Sequence, residues 1–117
     1  MVGVDILETE RVKKALQKDN FLKSICLESE IEYINRFKEK AEHVAGFFVA
    51  KEAVMKALEK CDKIMFLDIE IKHKETGKPY VVLHGEAKKI FQESKAKNIE
   101  ISISQTKKFA TAMCQIV

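Results

Sequence analysis

The segment from Val44 to Leu58 restricts the fold of this chain more than any other. At about 100° per residue, six of its apolar side chains fall within an arc of about 120° around a helix axis, which predicts a long helix with one packed face. They are Val44, Phe47, Phe48, Val54, Met55 and Leu58. Lys51 projects from the middle of that apolar arc. Glu52 and Lys56 lie together on its flank, one helical turn apart. The pattern predicts a core helix with a lysine inside its apolar face and a carboxylate and an ammonium beside it.

Two interpretations of these charged residues stay open when the helix is considered alone. A glutamate followed by a lysine four positions later is a common surface pair that contributes about 0.2–0.5 kcal/mol. A lysine on an apolar face usually covers that face with its stem and keeps its ammonium in water. The alternative is that these side chains take part in catalysis or ligand binding. The rest of the chain is needed to choose between the two interpretations.

The two ends of the chain predict strands, and the first of them contains an acid. Residues 1–7 form an apolar run that Asp5 interrupts, and an aspartate in a strand needs hydrogen-bond donors, a cation or an exit to water. Residues 99–105 alternate strictly between apolar and polar side chains, which predicts a half-buried strand. Residues 109–117 predict a closing strand that forms a hairpin with it.

The remaining segments predict short helices and one more hairpin. Ser29 followed by Glu32 is a capping-box pattern that indicates a helix start, and Glu30 is interpreted as helix-start charge. Residues 66–72 and 80–83 predict a hairpin around a turn with Gly77 and Pro79. We expect an α+β fold in which residues 1–117 form a single domain. Its mainly antiparallel sheet takes the first strand, the central hairpin and the last two strands, with helices packed on one side.

Composition narrows the class of protein. The 117 residues carry a net charge of only +3, which is too balanced to indicate a nucleic-acid partner. No apolar segment is long enough to predict a membrane span, and no cleavable signal is expected before the first strand. The three cysteines are odd in number and lack metal-ligand spacing, which favours reduced thiols and a cytoplasmic location.

Three segments, taken in order, carry a family resemblance. They are Gly-Val-Asp-Ile at 3–6, the helix at 48–58 with its Lys-Glu-Ala core and Lys56, and Ile-Ser-Ile-Ser at 101–104 followed by Thr106 and Ala110. Together they resemble the holo-acyl-carrier-protein synthase family of phosphopantetheinyl transferases. The resemblance covers nearly the whole chain, and the central segment is its most specific part.

This resemblance implies a reaction and a set of catalytic residues. The phosphopantetheine arm of coenzyme A, the substrate, is moved to a serine of acyl carrier protein, a step of fatty acid biosynthesis, and adenosine 3′,5′-bisphosphate is released. Asp5 and Glu52 match the metal-binding acids of the family, and one or two carboxylates are the usual protein ligands of Mg²⁺ at a phosphate. Lys56 matches a lysine that we assign to the transferring phosphate, where a fixed positive charge stabilises the transition state.

The resemblance also implies binding residues and an assembly. Lys51 is expected either to contact coenzyme phosphates or to pack, and Lys78 to contact the 3′-phosphate. The other expected coenzyme contacts are Gly77, Pro79, Ser104, Gln105 and Thr106. A basic surface formed by Arg11, Lys14 and Lys18 is expected to dock the acidic carrier protein. The family further implies a homotrimer with coenzyme sites at subunit boundaries.

The sequence departs from the family at three places. Many members carry a histidine where Gln105 stands, an arginine where Phe47 stands and a glycine-rich turn where residues 59–63 stand. Glutamine neither titrates nor carries charge, so no role of a histidine transfers to it. Two alternatives to an active transferase therefore stay open. One is a non-catalytic relative that binds carrier protein or coenzyme A, and the other is a small basic binding module that shares only short patterns.

Overall fold

The computed structural model describes residues 1–117, which form five strands and five α-helices. The strands are β1 Val2–Glu8, β2 Ile69–His73, β3 Pro79–Leu83, β4 Ile99–Gln105 and β5 Phe109–Ile116. The helices are α1 Thr9–Ala15, α2 Phe21–Ile25, α3 Glu28–Ile34, α4 Lys40–Leu58 and α5 Gly85–Glu93, with a 3-10 turn at Phe66–Asp68. None of these helices has the length and apolarity that a membrane crossing requires.

The strands form two antiparallel sheets. The larger one has the order β1-β5-β4, and Asp5 of β1 lies opposite Ala112 of β5. The hairpin of β2 and β3 forms a separate two-stranded sheet, so the expectation of one sheet is wrong in this detail. Alternation along a sequence shows which residues face the core, but it does not show which strand edges pair. Between the two sheets, the Lys78 and Glu100 side chains form an exposed ion pair.

Helix α4 lies at the centre of the fold. Twelve of its nineteen residues are buried, because the larger sheet packs against one side and α1, α3, α5 and β2 contact the others. The sequence predicts that one face of α4 packs, whereas the structure buries most of the helix surface. Gly3 allows β1 to approach α4 closely, since a Cβ there would overlap the Ala53 carbonyl and lie 2.7 Å from the Ala57 nitrogen.

The helices cover one face of the larger sheet, as expected. On the covered face, Ala110, Ala112 and Cys114 of β5 are buried. The opposite face is exposed and carries Val2, Val4, Ile6, Phe109 and Met113. The alternation of β4 is confirmed, because Ile101 is buried while Ser102 and Ser104 are exposed. The sheet therefore leaves an open apolar surface on the side away from α4.

Helix α3 begins differently from the expectation. It starts at Glu28 with Leu27 as the capping residue, so the predicted capping box of Ser29 and Glu32 is wrong. Glu30 accepts a hydrogen bond from the Leu27 backbone N–H at 2.8 Å, which is the helix-start role expected of it. Ser29 instead donates its hydroxyl hydrogen to the Glu70 carboxylate on β2 at 2.8 Å.

Candidate active site

A cleft of about 420 Å³ lies where β1 meets α1, α2 and α4. Asp5 and Glu52, which are 47 positions apart in the sequence, both line it. Its other lining residues are Ile6, Leu7, Arg11, Val12, Ala15, Phe21 and Phe48. The packing of α4 against β1 thus brings together the two acids that the sequence singles out, inside a largely apolar wall.

Lys56 pairs with Asp5 and not with the glutamate on its own helix. Its ammonium donates hydrogen bonds to Asp5 Oδ1 at 3.2 Å and to the Val4 carbonyl at 3.0 Å. The interpretation of Glu52 and Lys56 as a mutually satisfied surface pair is therefore wrong. Lys56 is 46% exposed, so its ammonium can change partners when an anion enters.

Glu52 is half-buried and accepts no hydrogen bond from the protein. Burial raises the pKa of its carboxyl, the nearby Asp5 raises it further, and Lys56 opposes both effects. Two carboxylates held together with one partly exposed ammonium favour a cation between them. No group of three or more His, Cys, Asp or Glu residues forms a metal cage, so any ion here would complete its shell with water or substrate oxygens.

Lys51 lies outside the cleft, and the expectation that it contacts coenzyme phosphates is wrong. Its side chain is completely buried, and its ammonium donates to Glu30 Oε1 at 2.7 Å and to the Ile25 and Phe66 carbonyls at 2.6 and 3.2 Å. The packing alternative is the correct one. Nothing in the sequence around Glu30 marks it as the buried partner of a lysine, so sequence reasoning missed it.

The other predicted coenzyme contacts do not line the cleft of Asp5 and Glu52. Gly77 lies in the exposed turn between β2 and β3, with Lys78 and Pro79 after it. Ser104 lies on the exposed face of β4. Thr106 turns the chain into β5, because its hydroxyl oxygen accepts the Lys108 and Phe109 N–H groups at 3.2 and 3.1 Å. Within one chain these residues stay separate from the acids.

Gln105, which stands where many relatives carry a histidine, has a histidine beside it in space. Its amide nitrogen lies 3.2 Å from Nδ1 of His43, in the first turn of α4. His43 stacks on Phe37 and His73 stacks on Tyr33, with ring centroids 3.8 and 4.0 Å apart. Burial lowers the pKa of both imidazoles.

The predicted docking residues are exposed and close to the cleft. Arg11 and Lys14 lie on α1 and Lys18 follows that helix. Arg11 also lines the cleft itself. A positively charged surface thus borders the opening that leads to the two acids.

Comparisons with known proteins agree with this geometry. The chain matches the 4′-phosphopantetheinyl transferase superfamily over residues 1–114. It is 46% identical over 114 residues to a holo-acyl-carrier-protein synthase of Caldanaerobacter subterraneus, a match that covers 96% of this chain and 90% of the relative. It is 41% identical over 118 residues to that of Fusobacterium nucleatum, covering 99% and 97% of the two chains. Matches of this length exclude the alternative that the chain is a small basic binding module with only short patterns in common with the family.

Solved structures show the same fold. The holo-acyl-carrier-protein synthase of Helicobacter pylori in complex with coenzyme A superposes with a TM-score of 0.86 at 31% identity, covering 100% of both chains. The corresponding enzyme of Bacillus anthracis gives a TM-score of 0.82 at 34% identity, covering 98% of this chain and 93% of the other. The chain therefore belongs to the 4′-phosphopantetheinyl transferase superfamily and is an enzyme of its holo-acyl-carrier-protein synthase branch.

Proposed function

We propose that this enzyme transfers the 4′-phosphopantetheine arm of coenzyme A to a serine of apo-acyl carrier protein and releases adenosine 3′,5′-bisphosphate, in the cytoplasm and for fatty acid biosynthesis. The relatives named above support the two substrates. The observation that carries the proposal is that a strand and a helix bring Asp5 and Glu52 to one cleft, with Lys56 bonded to Asp5. We further propose that residues 1–117 act as one transferase domain.

The two acids fit a magnesium ion. Glu52 has no hydrogen-bond donor from the protein, and its pKa is raised by burial and by Asp5, so a cation would relieve an unfavourable carboxylate pair. Mg²⁺ binds through one or two carboxylates together with waters and phosphate oxygens, which this site can supply. When bound there, the ion supplies neutralisation of charge on the pyrophosphate.

Lys56 is the residue that we assign to the transferring phosphate. Its ammonium sits against Asp5, and its exposure leaves it free to reach an incoming anion. A preorganised positive charge stabilises negative charge that develops on phosphate oxygens in the transition state. Apolar residues surround the acids in the same cleft, and electrostatic interactions are stronger in such surroundings than in bulk water.

A homotrimer would account for the coenzyme contacts that lie away from the cleft. Lys78, Ser104 and Gln105 can serve the acids of a neighbouring copy if sites form at subunit boundaries. The open apolar face of β1 and β5 supports self-association, since Val4 and Ile6 are 59% and 66% exposed. Sedimentation equilibrium should give three times the 13.4 kDa chain mass.

The apolar face gives that assembly a direct test. Val4→Lys places a charge opposite Met113 and should produce monomers, while the matched exposed substitution Gln92→Lys on α5 should not. A wild-type protein that sediments as a monomer would rule out the trimer.

Docking of the carrier protein is assigned to Arg11, Lys14 and Lys18. Contacts between exposed charges weaken as salt is raised. The KM for apo-acyl carrier protein should therefore rise with ionic strength, and less steeply in an Arg11→Ala variant. An unchanged salt dependence in that variant would remove Arg11 from the docking surface.

The decisive experiment incubates the protein with apo-acyl carrier protein, coenzyme A and Mg²⁺ and follows the mass of the carrier. Wild-type protein should add one phosphopantetheine group. Asp5→Ala and Glu52→Ala should each slow this transfer by at least about 100-fold, because several kcal/mol of transition-state stabilisation depend on the metal site. Glu93→Ala on α5 is the matched control, an exposed acid outside the cleft.

Two results would contradict the proposal. Full activity and unchanged magnesium dependence in either acid variant would show that the metal is held elsewhere. No transfer by folded wild-type protein that still binds coenzyme A would favour the non-catalytic relative, which the replacements at Gln105 and Phe47 motivate.

A further inference from the structure

A buried ion pair lies behind the wall of the cleft. The side chains of Lys51 and Glu30 are both completely buried, and their charged atoms are 2.7 Å apart. Neither residue lines the cleft. The pair is therefore outside the set of groups that we assign to the metal or to the phosphate.

The hydrogen bonds of this pair are saturated and reach several backbone segments. All three hydrogens of the Lys51 ammonium have acceptors, namely Glu30, the Ile25 carbonyl and the Phe66 carbonyl. The Glu30 carboxylate also accepts the N–H groups of Leu27 and Ile71, each at 2.8 Å. The pair thus joins α4 to the end of α2, the start of α3, the 3-10 turn and β2. A fully bonded buried network favours one arrangement of the segments it joins.

Helix α2 is the shortest of the α-helices and is one of the segments that this network joins. It has only five residues, and its capping residue Asn20 makes no side-chain bond to it. A helix of this length has no stability of its own. Its last residue, Ile25, gives its carbonyl to Lys51, while its first residue, Phe21, lines the cleft. Lys51 is therefore bonded to the helix that contributes Phe21 to the cleft, and its neighbour Glu52 lies within that cleft.

We propose that Lys51 and Glu30 are positioning residues that fix α2, and through it Phe21, in the cleft beside Arg11, a residue that we assign to docking of the acceptor protein. The identity of that acceptor rests on the proposed function. The pair acts through the Ile25 carbonyl, so it shapes acceptor recognition without contacting the acids or the coenzyme.

The test uses the double variant Glu30→Gln with Lys51→Met, which removes both charges together and keeps similar side-chain volumes. Amide hydrogen exchange in residues 21–26 should accelerate by about tenfold or more because local opening becomes easier. The KM for apo-acyl carrier protein should rise about fivefold or more, with kcat and the KM for coenzyme A within about twofold of wild type. Mn²⁺ binding, measured by electron paramagnetic resonance, should be unchanged.

Two single variants frame this result. Phe21→Ala should raise the KM for the acceptor in the same way, although it leaves the charges and hydrogen bonds of Lys51 and Glu30 in place. Glu70→Gln is the matched control, because Glu70 also joins β2 to α3 through Ser29 but bonds to neither Lys51 nor α2. It should change none of these quantities.

Several outcomes overturn the proposal. One is unchanged exchange in α2 of the double variant, and another is an unchanged acceptor KM in Phe21→Ala. A lower kcat together with a rise in both KM values and weaker Mn²⁺ binding would show a merely structural role. If the double variant fails to fold, hydrogen exchange of the Cys26 amide in the wild-type protein tests the proposal. This amide donates to the Leu22 carbonyl at 2.9 Å. Protection close to that of α4 supports the proposal, and exchange at the rate of a fraying end overturns it. If the wild-type protein has no transferase activity but the double variant shows the expected change in exchange, the proposed function is overturned. The conclusion that Lys51 and Glu30 fix α2 is then retained.

Discussion

Helix α4 carries two lysines that each meet a carboxylate from a distant part of the chain, and the two pairs differ in almost everything except charge. Lys51 and Glu30 are completely buried at 2.7 Å, whereas Lys56 and Asp5 are 46% and 18% exposed at 3.2 Å. A buried pair with every hydrogen bond satisfied fixes structure, because either charge left alone is costly. An exposed pair contributes little to stability and leaves its ammonium free for another anion. Environment thus separates a lysine that is fixed in the structure from one that stays available to an anion, within five positions.

The largest expected effect tests the buried pair. Lys51→Ala leaves the Glu30 carboxylate buried without its ammonium, so the free energy of unfolding should fall by about 3–5 kcal/mol. Urea denaturation measures this fall. Lys56→Ala is the control on the same helix and should cost at most about 1 kcal/mol, as exposed pairs do. Similar losses in the two variants would abolish the distinction between the pairs.

The second effect concerns the exposed pair and activity. Lys56→Ala should lower kcat by about 100- to 1000-fold, because it removes a charge aimed at the transition state. The KM for the carrier protein should change far less. Without coenzyme, Mn²⁺ should bind this variant more tightly than wild type, since no ammonium competes for Asp5. Lys89→Ala on α5 is the matched exposed control. Normal kcat in Lys56→Ala would remove the lysine from the chemistry.

The sequence predicts the chemical side of this comparison better than the structural side. Asp5, Glu52 and Lys56 stand out as charged residues in or beside apolar patterns, and the fold brings them together. The strands β4 and β5 follow their alternation almost to the residue.

The partners of these residues could not be predicted in the same way. Which carboxylate a buried lysine meets depends on how distant segments pack, and Glu30 is 21 positions away from Lys51. His43 lies beside Gln105 for the same reason, although 62 positions separate them. The separate sheet of β2 and β3 was also missed, because strand patterns do not identify the edges that pair.

A smaller effect should appear in the pH dependence of stability. The pKa of Glu52 is raised above its ordinary value of 4.5, so the folded state binds this proton more tightly than the unfolded state does. The stabilisation that Glu52 contributes is present at pH values below its ordinary pKa. It is lost as the pH rises through the raised pKa of the folded state. Metal-free Glu52→Gln should therefore melt higher than wild type at pH 7, and the difference should disappear towards pH 4.

Glu70 supplies a control of opposite sign. A hydrogen bond from His84 lowers the pKa of Glu70, so its stabilising contribution is present above the ordinary value and is lost in acid. Glu70→Gln should lower the melting temperature slightly at neutral pH. If Glu52→Gln also lowered it, the acids of the cleft would be stabilising the fold and would not be a strained pair awaiting a cation.

The smallest effect lies at the end of α4, one turn beyond Lys56. Glu59 has a φ of 59°, which is costly for a residue with a side chain and is the conformation in which glycine commonly ends a helix. Glu59→Gly should raise the free energy of unfolding by about 0.5–1 kcal/mol, after the entropy of glycine in the unfolded chain is subtracted. Lys95→Gly is the matched control, with a φ of 64° away from the cleft, and should gain a similar amount. Denaturation and kcat are measured on both. Because the Glu59 N–H donates to the Lys56 carbonyl at 3.1 Å, a change in kcat with Glu59→Gly alone would show that this turn helps to place the lysine of the exposed pair.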